Sequence, residues 1–217
     1  MNIEQARFNM IEQQIRPWNV LDQDVLDLLH VVKREAFVPA AYQNLAFADV
    51  EIPLPGGEAM LNPKVEARIV QEIAVKKHEN VLEIGTGSGY VAALLAHKAR
   101  HVTTIEILPE SVALAKDNLA KAGITNVTVE QGNGAEGWAN GAPWDAIVVS
   151  GALPVLPEAL VKGLKVGGRM IAILGEAPAM TCQLITRTSE TAHEAVTLFE
   201  TVAKPLSGAP APSRFTF

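Results

Sequence analysis

The amino-acid sequence predicts an α/β fold in which a doubly wound, mostly parallel sheet follows an N-terminal helical extension. From residue 81 onward, short β-branched apolar segments alternate with amphipathic helical segments, which is the pattern of parallel strands joined by right-handed crossover helices. Three glycines at alternate positions stand between the first strand and its helix. The last two apolar segments are separated only by 189–192, which predicts an antiparallel hairpin that closes the sheet.

Helices and an irregular segment precede the predicted sheet. Apolar residues recur at helical spacing in the first helix. Asp22 is a suitable N-cap for the second helix, and Pro63 suits the first turn of the third. The predicted ranges are a helix over 2–16, a helix after Asp22, a turn or short helix that begins at 37–39, a proline- and glycine-rich irregular segment over 50–63 and a helix from Pro63 to about residue 75.

Strands and helices then alternate to the end of the predicted sheet. Pro109 suits the first position of the second helix in this part, and Gly123 suits its C-terminal cap. The tail 207–212 is rich in proline and small residues, so it is predicted to be loose. The predicted strands are 81–84, 102–106, 127–130, 145–149, 169–174 and the hairpin 180–187 with 193–202, and the predicted helices are 89–98, 109–122 and 157–163.

These patterns divide the chain into two parts that we expect to form one compact unit. Residues 1–78 are expected to form the N-terminal helical extension and a substrate-side loop, and 79–217 a ligand-binding core. The formal net charge is −6, from 18 basic and 24 acidic residues. Because no cluster of lysine and arginine accompanies this negative charge, the sequence gives no indication of nucleic-acid binding.

The sequence also indicates where the protein is located and whether it binds a metal. The N-terminal residues lack the pattern of a signal peptide, and no apolar segment approaches the roughly 20 residues that a membrane span needs. The single cysteine, Cys182, has no partner for an internal disulfide, which fits a reducing compartment. We therefore expect a cytoplasmic protein without membrane contact. The five histidines show no metal-ligand spacing, so no metal site is expected.

The glycine segment is the strongest functional signal. Gly85, Gly87 and Gly89 follow the first strand and precede a helix, which brings backbone N–H groups and a helix N-terminus close to a ligand. The dinucleotide fingerprint G-x-G-x-x-G would need a glycine where Tyr90 stands. Glu83 would repel a pyrophosphate, but a carboxylate there suits the cationic amino-acid end of S-adenosylmethionine. The segment therefore predicts a methyl-donor site and disfavours a dehydrogenase.

Further candidate residues follow the other strands, because ligands of such sheets bind at the carboxyl ends of the strands. Glu106 ends the second strand and can accept hydrogen bonds from ribose hydroxyls, and Asn133 follows the third and can bind the adenine edge. Ser150 follows the fourth strand as a wall for the donor sulfur. The candidate donor-binding residues are Glu83, Gly85, Thr86, Gly87, Gly89, Glu106, Ile107, Asn133 and Gly134.

Several segments together resemble the protein-L-isoaspartate O-methyltransferase family over nearly the whole chain. They are 10–15, 32–39, 42–49, 81–96, 105–106, 132–138, 144–149, 164–169 and 203–206. The resemblance implies a Rossmann-like, seven-stranded methyltransferase sheet and methyl transfer from S-adenosylmethionine to the α-carboxylate of isoaspartyl residues in damaged peptides. It also implies that Glu83 and the three glycines hold the methionine part of the donor, Glu106 its ribose and Asn133 its adenine.

Two departures from the family pattern concern the acceptor and the adenine. Ala59 and Leu61 stand where the family usually has Thr and Ser, so both hydroxyls of the acceptor segment are absent. Asn133 stands where the family generally has Asp, and its amide oxygen can still accept from the adenine amino group. No catalytic residue is assigned, and Leu61 and Asn62 are the acceptor-side candidates.

The leading hypothesis is thus a methyltransferase of this family with an altered acceptor site. Its partner would be a peptide or protein, or a small-molecule acceptor. The sequence leaves open a methyltransferase of the same fold with a different acceptor, and a donor-binding protein without catalysis. It does not predict the oligomeric state.

Overall fold

The structure is a computed structural model that describes residues 2–210. Its N-terminal part consists of helices and tight turns that lead to the sheet. Asp22 caps the second helix, since its Oδ1 accepts a hydrogen bond from Asp24 N at 2.9 Å. The elements are α1 (Ile3–Met10) with a π-helical turn (Ile11–Ile15) and a 3₁₀ turn (Arg16–Trp18), α2 (Gln23–Val31), 3₁₀ turns at Arg34–Ala36, Ala40–Leu45 and Pro55–Gly57, strands β1 (Ile52–Pro53) and β2 (Ala59–Met60), and α3 (Pro63–Ile73).

The rest of the described chain forms a seven-stranded sheet with helices on both faces. Its strand order is β5-β4-β3-β6-β7-β8-β9, with parallel pairing from β5 to β7 and antiparallel pairing of β7 with β8 and of β8 with β9. The elements are β3 (Asn80–Ile84), α4 (Tyr90–Lys98), β4 (His101–Glu106), α5 (Pro109–Lys121), β5 (Val127–Gln131), β6 (Trp144–Leu153), α6 (Glu158–Lys162), β7 (Leu164–Glu176), β8 (Ala179–Arg187) and β9 (His193–Glu200).

Burial explains why the central strands are nearly continuous apolar segments. Strands β3 and β6 have neighbours on both sides and are covered on both faces, so apolar residues occupy successive positions rather than alternate ones. The N-terminal helices pack on the sheet helices in one cluster that joins Met10, Leu26 and Phe37 to Tyr90 and Leu94. The extension therefore shares its core with the sheet helices.

The predicted fold class is confirmed, with corrections to individual elements. Strand β6 continues to Leu153, so 150–152 lie within the strand and not after it, and a register irregularity between Val148 and Ala152 accommodates them. Strand β7 begins at Leu164, five residues before the predicted start. The turn or short helix predicted to begin at 37–39 is the 3₁₀ turn Ala40–Leu45, which follows Pro39 directly.

The tail prediction was wrong for 207–210. Ser207 Oγ donates to Glu58 Oε1 at 2.7 Å, and Gly208 O accepts from Asn133 Nδ2 at 3.1 Å, so these residues are bound to the body of the protein. Residues 211–212 of the predicted tail lie outside the described residues. Within 2–210, no helix is long and apolar enough to cross a membrane.

Candidate active site

The candidate site lies at the carboxyl ends of β3 and β6, where the strand order reverses and a crevice opens. The glycine turn follows β3 and leads to α4. Gly85 has φ of +88°, and a Cβ on it would lie 2.7 Å from Leu206 Cδ2. Gly89 has φ of +84°, and a Cβ there would lie 3.4 Å from Ala115 Cα on α5. Glycine at these two positions allows both the left-handed backbone and the close packing of the turn.

Glu83 is completely buried at the end of β3 and is held by hydroxyl groups. Thr104 Oγ1 donates to its Oε2 at 2.6 Å, and Ser150 Oγ donates to its Oε1 at 2.8 Å. The Thr86 hydroxyl lies 2.6 Å from Thr104 Oγ1 and extends this network to the glycine turn. Burial raises the pKa of Glu83 to about 8 despite these hydrogen bonds, and no basic side chain of the described residues is among the groups that shift it.

Glu106 ends β4 and supports the glycine turn directly. Gly87 N donates to its Oε2 at 2.9 Å, and Leu108 N donates to its Oε1 at 3.0 Å. A carboxylate oxygen can accept more than one hydrogen bond, so both oxygens keep acceptor capacity for a ligand. The side chain is only 5% exposed, so the carboxylate is fixed at the wall of the crevice.

Two adjoining cavities meet at the glycine turn. The outer cavity extends toward β4 and the loop after β5. Its lining residues include Glu58, Ala59, Gly85, Gly87, Glu106, Ile107, Asn133, Gly134, Ser150, Leu206 and Ser207. The inner cavity extends under the acceptor segment 59–62 and is lined by Ala59, Met60, Leu61, Glu66, Glu83, Thr86, Tyr90 and Ser150, among others.

The amide of Asn133 already has partners within the protein. Its Nδ2 donates to Gly208 O at 3.1 Å, and its Oδ1 accepts from Ala135 N at 3.0 Å. Each atom retains one further hydrogen-bonding position, because an amide nitrogen has two hydrogens and its oxygen two lone pairs. Asn133 therefore lies in the outer cavity with a fixed orientation.

The acceptor segment presents apolar side chains to the inner cavity. Met60 and Leu61 are 4% and 6% exposed, and Leu54 lines the same space. Asn62 precedes α3 and faces a different group, since its Nδ2 lies 3.4 Å from both Asp49 O and Asp49 Oδ1. Leu61 is thus at the cavity and Asn62 is not among its lining residues.

A buried ion pair lies behind the acceptor segment. Arg34 Nε donates to Glu66 Oε2 at 2.8 Å, and the two side chains are 1% and 2% exposed. Burial raises the pKa of Glu66 to about 6, although the nearby guanidinium acts in the opposite direction. The ring centroid of Tyr90 lies 5.8 Å from Arg34 Cζ, and the Tyr90 hydroxyl has no hydrogen-bond partner among residues 2–210. No group of three or more His, Cys, Asp or Glu residues in that range could hold a metal ion.

Comparison with known proteins identifies the family. The family model "Protein-L-isoaspartate(D-aspartate) O-methyltransferase" matches residues 5–208. The chain belongs to this family. It is 40% identical over 169 residues to the protein-L-isoaspartate O-methyltransferase of Methanoculleus marisnigri, which covers 78% of this chain and 77% of the relative. It is 36% identical over 208 residues to protein-L-isoaspartate O-methyltransferase 2 of Marinobacter nauticus, with 95% of each chain covered.

A solved structure supports the fold of the family. A Plasmodium falciparum chain named as a protein-L-isoaspartate O-methyltransferase, crystallised with S-adenosyl-L-homocysteine, superposes with a TM-score of 0.80 at 20% identity. The match covers 95% of this chain and 99% of that chain. The family predicted from the sequence is therefore confirmed, and so is the Rossmann-like methyltransferase fold.

The structure places most of the predicted residues of this family member at one site. Of the predicted donor-binding residues, Gly89 alone lines neither cavity, because it starts α4 and packs on α5. Sequence analysis missed Arg34, Glu66 and Ser207. A signal for Glu66 was available, since it shares helical spacing with buried Ile69, Val70 and Ile73.

Proposed function

We propose that this chain transfers the methyl group of S-adenosylmethionine to a carboxylate of isoaspartyl residues in peptides or proteins. Family membership supports the reaction class. The burial of Glu83 without a cationic partner is the observation that supports S-adenosylmethionine as the donor. Glu83 is a completely buried carboxyl group beside the glycine turn, and its hydrogen-bond partners in the described chain are two hydroxyls. A cationic ligand would supply the countercharge that favours its ionised form.

Residues of the two cavities would bind different parts of the donor. Glu83 and the backbone of Gly85 and Gly87 face the methionine end, and Glu106 accepts hydrogen bonds from the ribose. Asn133 and Ile107 lie in the outer cavity, where the adenine would stack and bind by its edge. The donor supplies an electrophilic methyl group when it is bound. The positive charge of that donor fits a site whose lining charged residues are glutamates.

On the acceptor side the chain would position the acceptor carboxylate and remove water from it. An ionised carboxylate is already a nucleophile, so methyl transfer to it needs no general base and depends on alignment with the donor. Leu61 cannot donate a hydrogen bond to that carboxylate, and its apolar surface removes water from it. We therefore expect slower transfer to isoaspartyl peptides than an acceptor segment with hydroxyls would give.

Labelled methyl transfer tests this function. With labelled S-adenosylmethionine, the chain is expected to label an isoaspartyl peptide and not the same peptide with aspartate. The double variant Ala59→Thr, Leu61→Ser is expected to raise turnover. Leu61→Ser alone is expected to leave the dissociation constant of S-adenosylhomocysteine unchanged, because Leu61 does not line the outer cavity. If that ligand binds and neither protein labels the isoaspartyl peptide, the acceptor assignment is wrong.

A second candidate is a methyltransferase for a less polar acceptor, which the apolar lining by Leu54, Met60 and Leu61 favours. A screen of small carboxylic acids with labelled donor distinguishes it, because label would appear on an apolar acid and not on the peptide. Donor binding without label on any acceptor of a cell extract would instead indicate a binding protein without catalysis.

The remaining assignments belong to the same proposal. We infer that 1–78 forms the helical, acceptor-side part and 79–217 the donor-binding core. We also infer a cytoplasmic location, because the single cysteine, Cys182, is a buried free thiol, which fits a reducing compartment. Fractionation of cells that express the full chain checks the location.

A further inference from the structure

Arg34 connects the acceptor segment to the body of the protein although it lines neither cavity. Besides Nε to Glu66 Oε2, its Nη1 donates to Ala46 O and its Nη2 donates to Leu61 O, each at 2.8 Å. The three acceptors thus belong to α3, to the end of the 3₁₀ turn Ala40–Leu45 and to the acceptor segment. One side chain therefore sets the relative positions of three segments.

The geometry of a guanidinium suits this arrangement. Its donors form a rigid planar fork, so the three hydrogen bonds fix directions as well as distances. Two of the three acceptors, Leu61 and Glu66, belong to residues that line the inner cavity. A shift of Arg34 would therefore move two lining residues of that cavity. Glu106 and Asn133 on the donor side have no hydrogen bond to Arg34.

Stability alone gives a weak reason for this buried pair. Two charges removed from water lose solvation that their mutual attraction only partly restores, and apolar residues of similar volume are often as stable. The ring of Tyr90, at 5.8 Å from Arg34 Cζ, adds a contact to the first residue of α4, directly after the glycine turn. This ring contact adds no hydrogen bond, so the directional contacts of Arg34 stay on the acceptor side.

We propose that Arg34, together with Glu66, is a positioning residue that sets the binding of the methyl acceptor by fixing Leu61 and the start of α3. This inference rests on the proposed methyl transfer for its kinetic test. It predicts an effect on the acceptor that leaves donor binding unchanged, because the hydrogen bonds of Arg34 go to the acceptor side only.

The chain offers a matched control for a variant of Arg34. Arg169 also pairs with one glutamate, Glu79, and donates to two carbonyl oxygens, Ile73 O and Ala74 O. These carbonyls lie at the C-terminal end of α3, away from the acceptor segment. Arg169→Lys therefore removes the same kind of interaction at the opposite end of the same helix.

The experiment compares Arg34→Lys with Arg169→Lys in the full chain. A lysine ammonium cannot span the three acceptors of Arg34, so we expect Arg34→Lys to raise the KM for an isoaspartyl peptide by about tenfold or more. The dissociation constant of S-adenosylhomocysteine should change by less than about twofold, and Arg169→Lys should leave both values near wild type. Hydrogen exchange of the amides of 59–62 should be faster in Arg34→Lys only.

Two variants of Glu66 keep the proposal testable if Arg34→Lys does not fold. Glu66→Gln retains an oxygen that can accept from Arg34 Nε, whereas Glu66→Ala retains none. We expect Glu66→Gln to stay close to wild type in acceptor KM and in exchange at 59–62, and Glu66→Ala to resemble Arg34→Lys.

The proposal is overturned if exchange at 59–62 is unchanged in Arg34→Lys and Glu66→Ala. It is also overturned if donor binding weakens as much as acceptor binding, or if Arg169→Lys has the same effect. If wild type does not label the isoaspartyl peptide, the proposed function fails, and hydrogen exchange with donor-binding measurements still decides the role of Arg34.

Discussion

The protonation of Glu83 should make donor binding depend on pH. The pKa of this carboxyl is raised to about 8 because it is buried, so at neutral pH the protein without ligand holds a proton there. A ligand with an ammonium group next to Glu83 favours the ionised carboxylate and should expel that proton. Donor affinity should therefore rise as the pH increases toward 8.

The size of the effect follows from the pKa. A group with a pKa of about 8 is half ionised at pH 8 and about 1% ionised at pH 6. If only the ionised form binds, the dissociation constant of S-adenosylhomocysteine relative to that of Glu83→Gln is about fiftyfold higher at pH 6 than at pH 8. At pH 7 each binding event should release about 0.9 proton.

Calorimetry in buffers of different ionisation enthalpy measures both quantities. Glu83→Gln is the control, since the amino group of the ligand titrates in the same range and affects both proteins equally. Ser150→Ala tests the cause. The hydrogen bond from Ser150 lowers the pKa of Glu83, so the loss of that bond should raise this pKa and move the midpoint of the pH profile upward. Parallel profiles for wild type and Glu83→Gln, or no proton release at pH 7, would refute this reasoning.

Three further predictions follow from the same structure. Glu106→Ala should weaken S-adenosylhomocysteine binding by about 1–3 kcal/mol, the usual cost of losing hydrogen bonds to a charged group, and unchanged affinity in calorimetry would exclude the ribose role. Gly85→Ala should lower the free energy of unfolding by more than Gly167→Ala, because φ is positive at both positions but a Cβ meets another side chain only at Gly85; equal midpoints in urea would contradict this. Glu66 and Glu83 have folded pKa values of about 6 and about 8, both above the usual 4.5, so the stability that they contribute is fully present below pH 4.5 and is lost as the pH rises through 6 and 8. Urea unfolding should give a lower free energy of unfolding at pH 8 than at pH 5, and this difference should be smaller in Glu83→Gln.

The order of elements and the donor side of the site could be predicted because their signals are local. Carboxyl ends of neighbouring parallel strands meet at one edge of a sheet, so Glu83, Glu106 and Asn133 could be assigned to one site from the strand pattern alone. The longer β6 and β7 were missed because Ser150 and the glycines near residue 167 resemble the ends of strands.

The acceptor side depends on contacts between distant residues. Arg34 and Glu66 are 32 positions apart, and each alone is a charged residue that is normally exposed. The position of Glu66 on the buried face of α3 indicates an unusual carboxylate, but only the fold identifies its partner. In the same way, the composition of 207–210 predicts a loose tail, and the hydrogen bonds to Glu58 and Asn133 become visible only in the structure.

The two buried carboxyl groups of the inner cavity, Glu66 and Glu83, differ in whether the chain supplies their counter-ion. Glu66 has a cation from the chain itself, the guanidinium of Arg34. Glu83 has only hydroxyl partners in the described chain and a higher pKa, so a ligand would supply the cation that its ionised form needs. Exchanging these roles would require Arg34 to reach Glu83, and its donors already bind Glu66 and two carbonyls. We therefore propose that Glu83 is left for the cationic donor, whereas Glu66 already has Arg34 as its counter-ion.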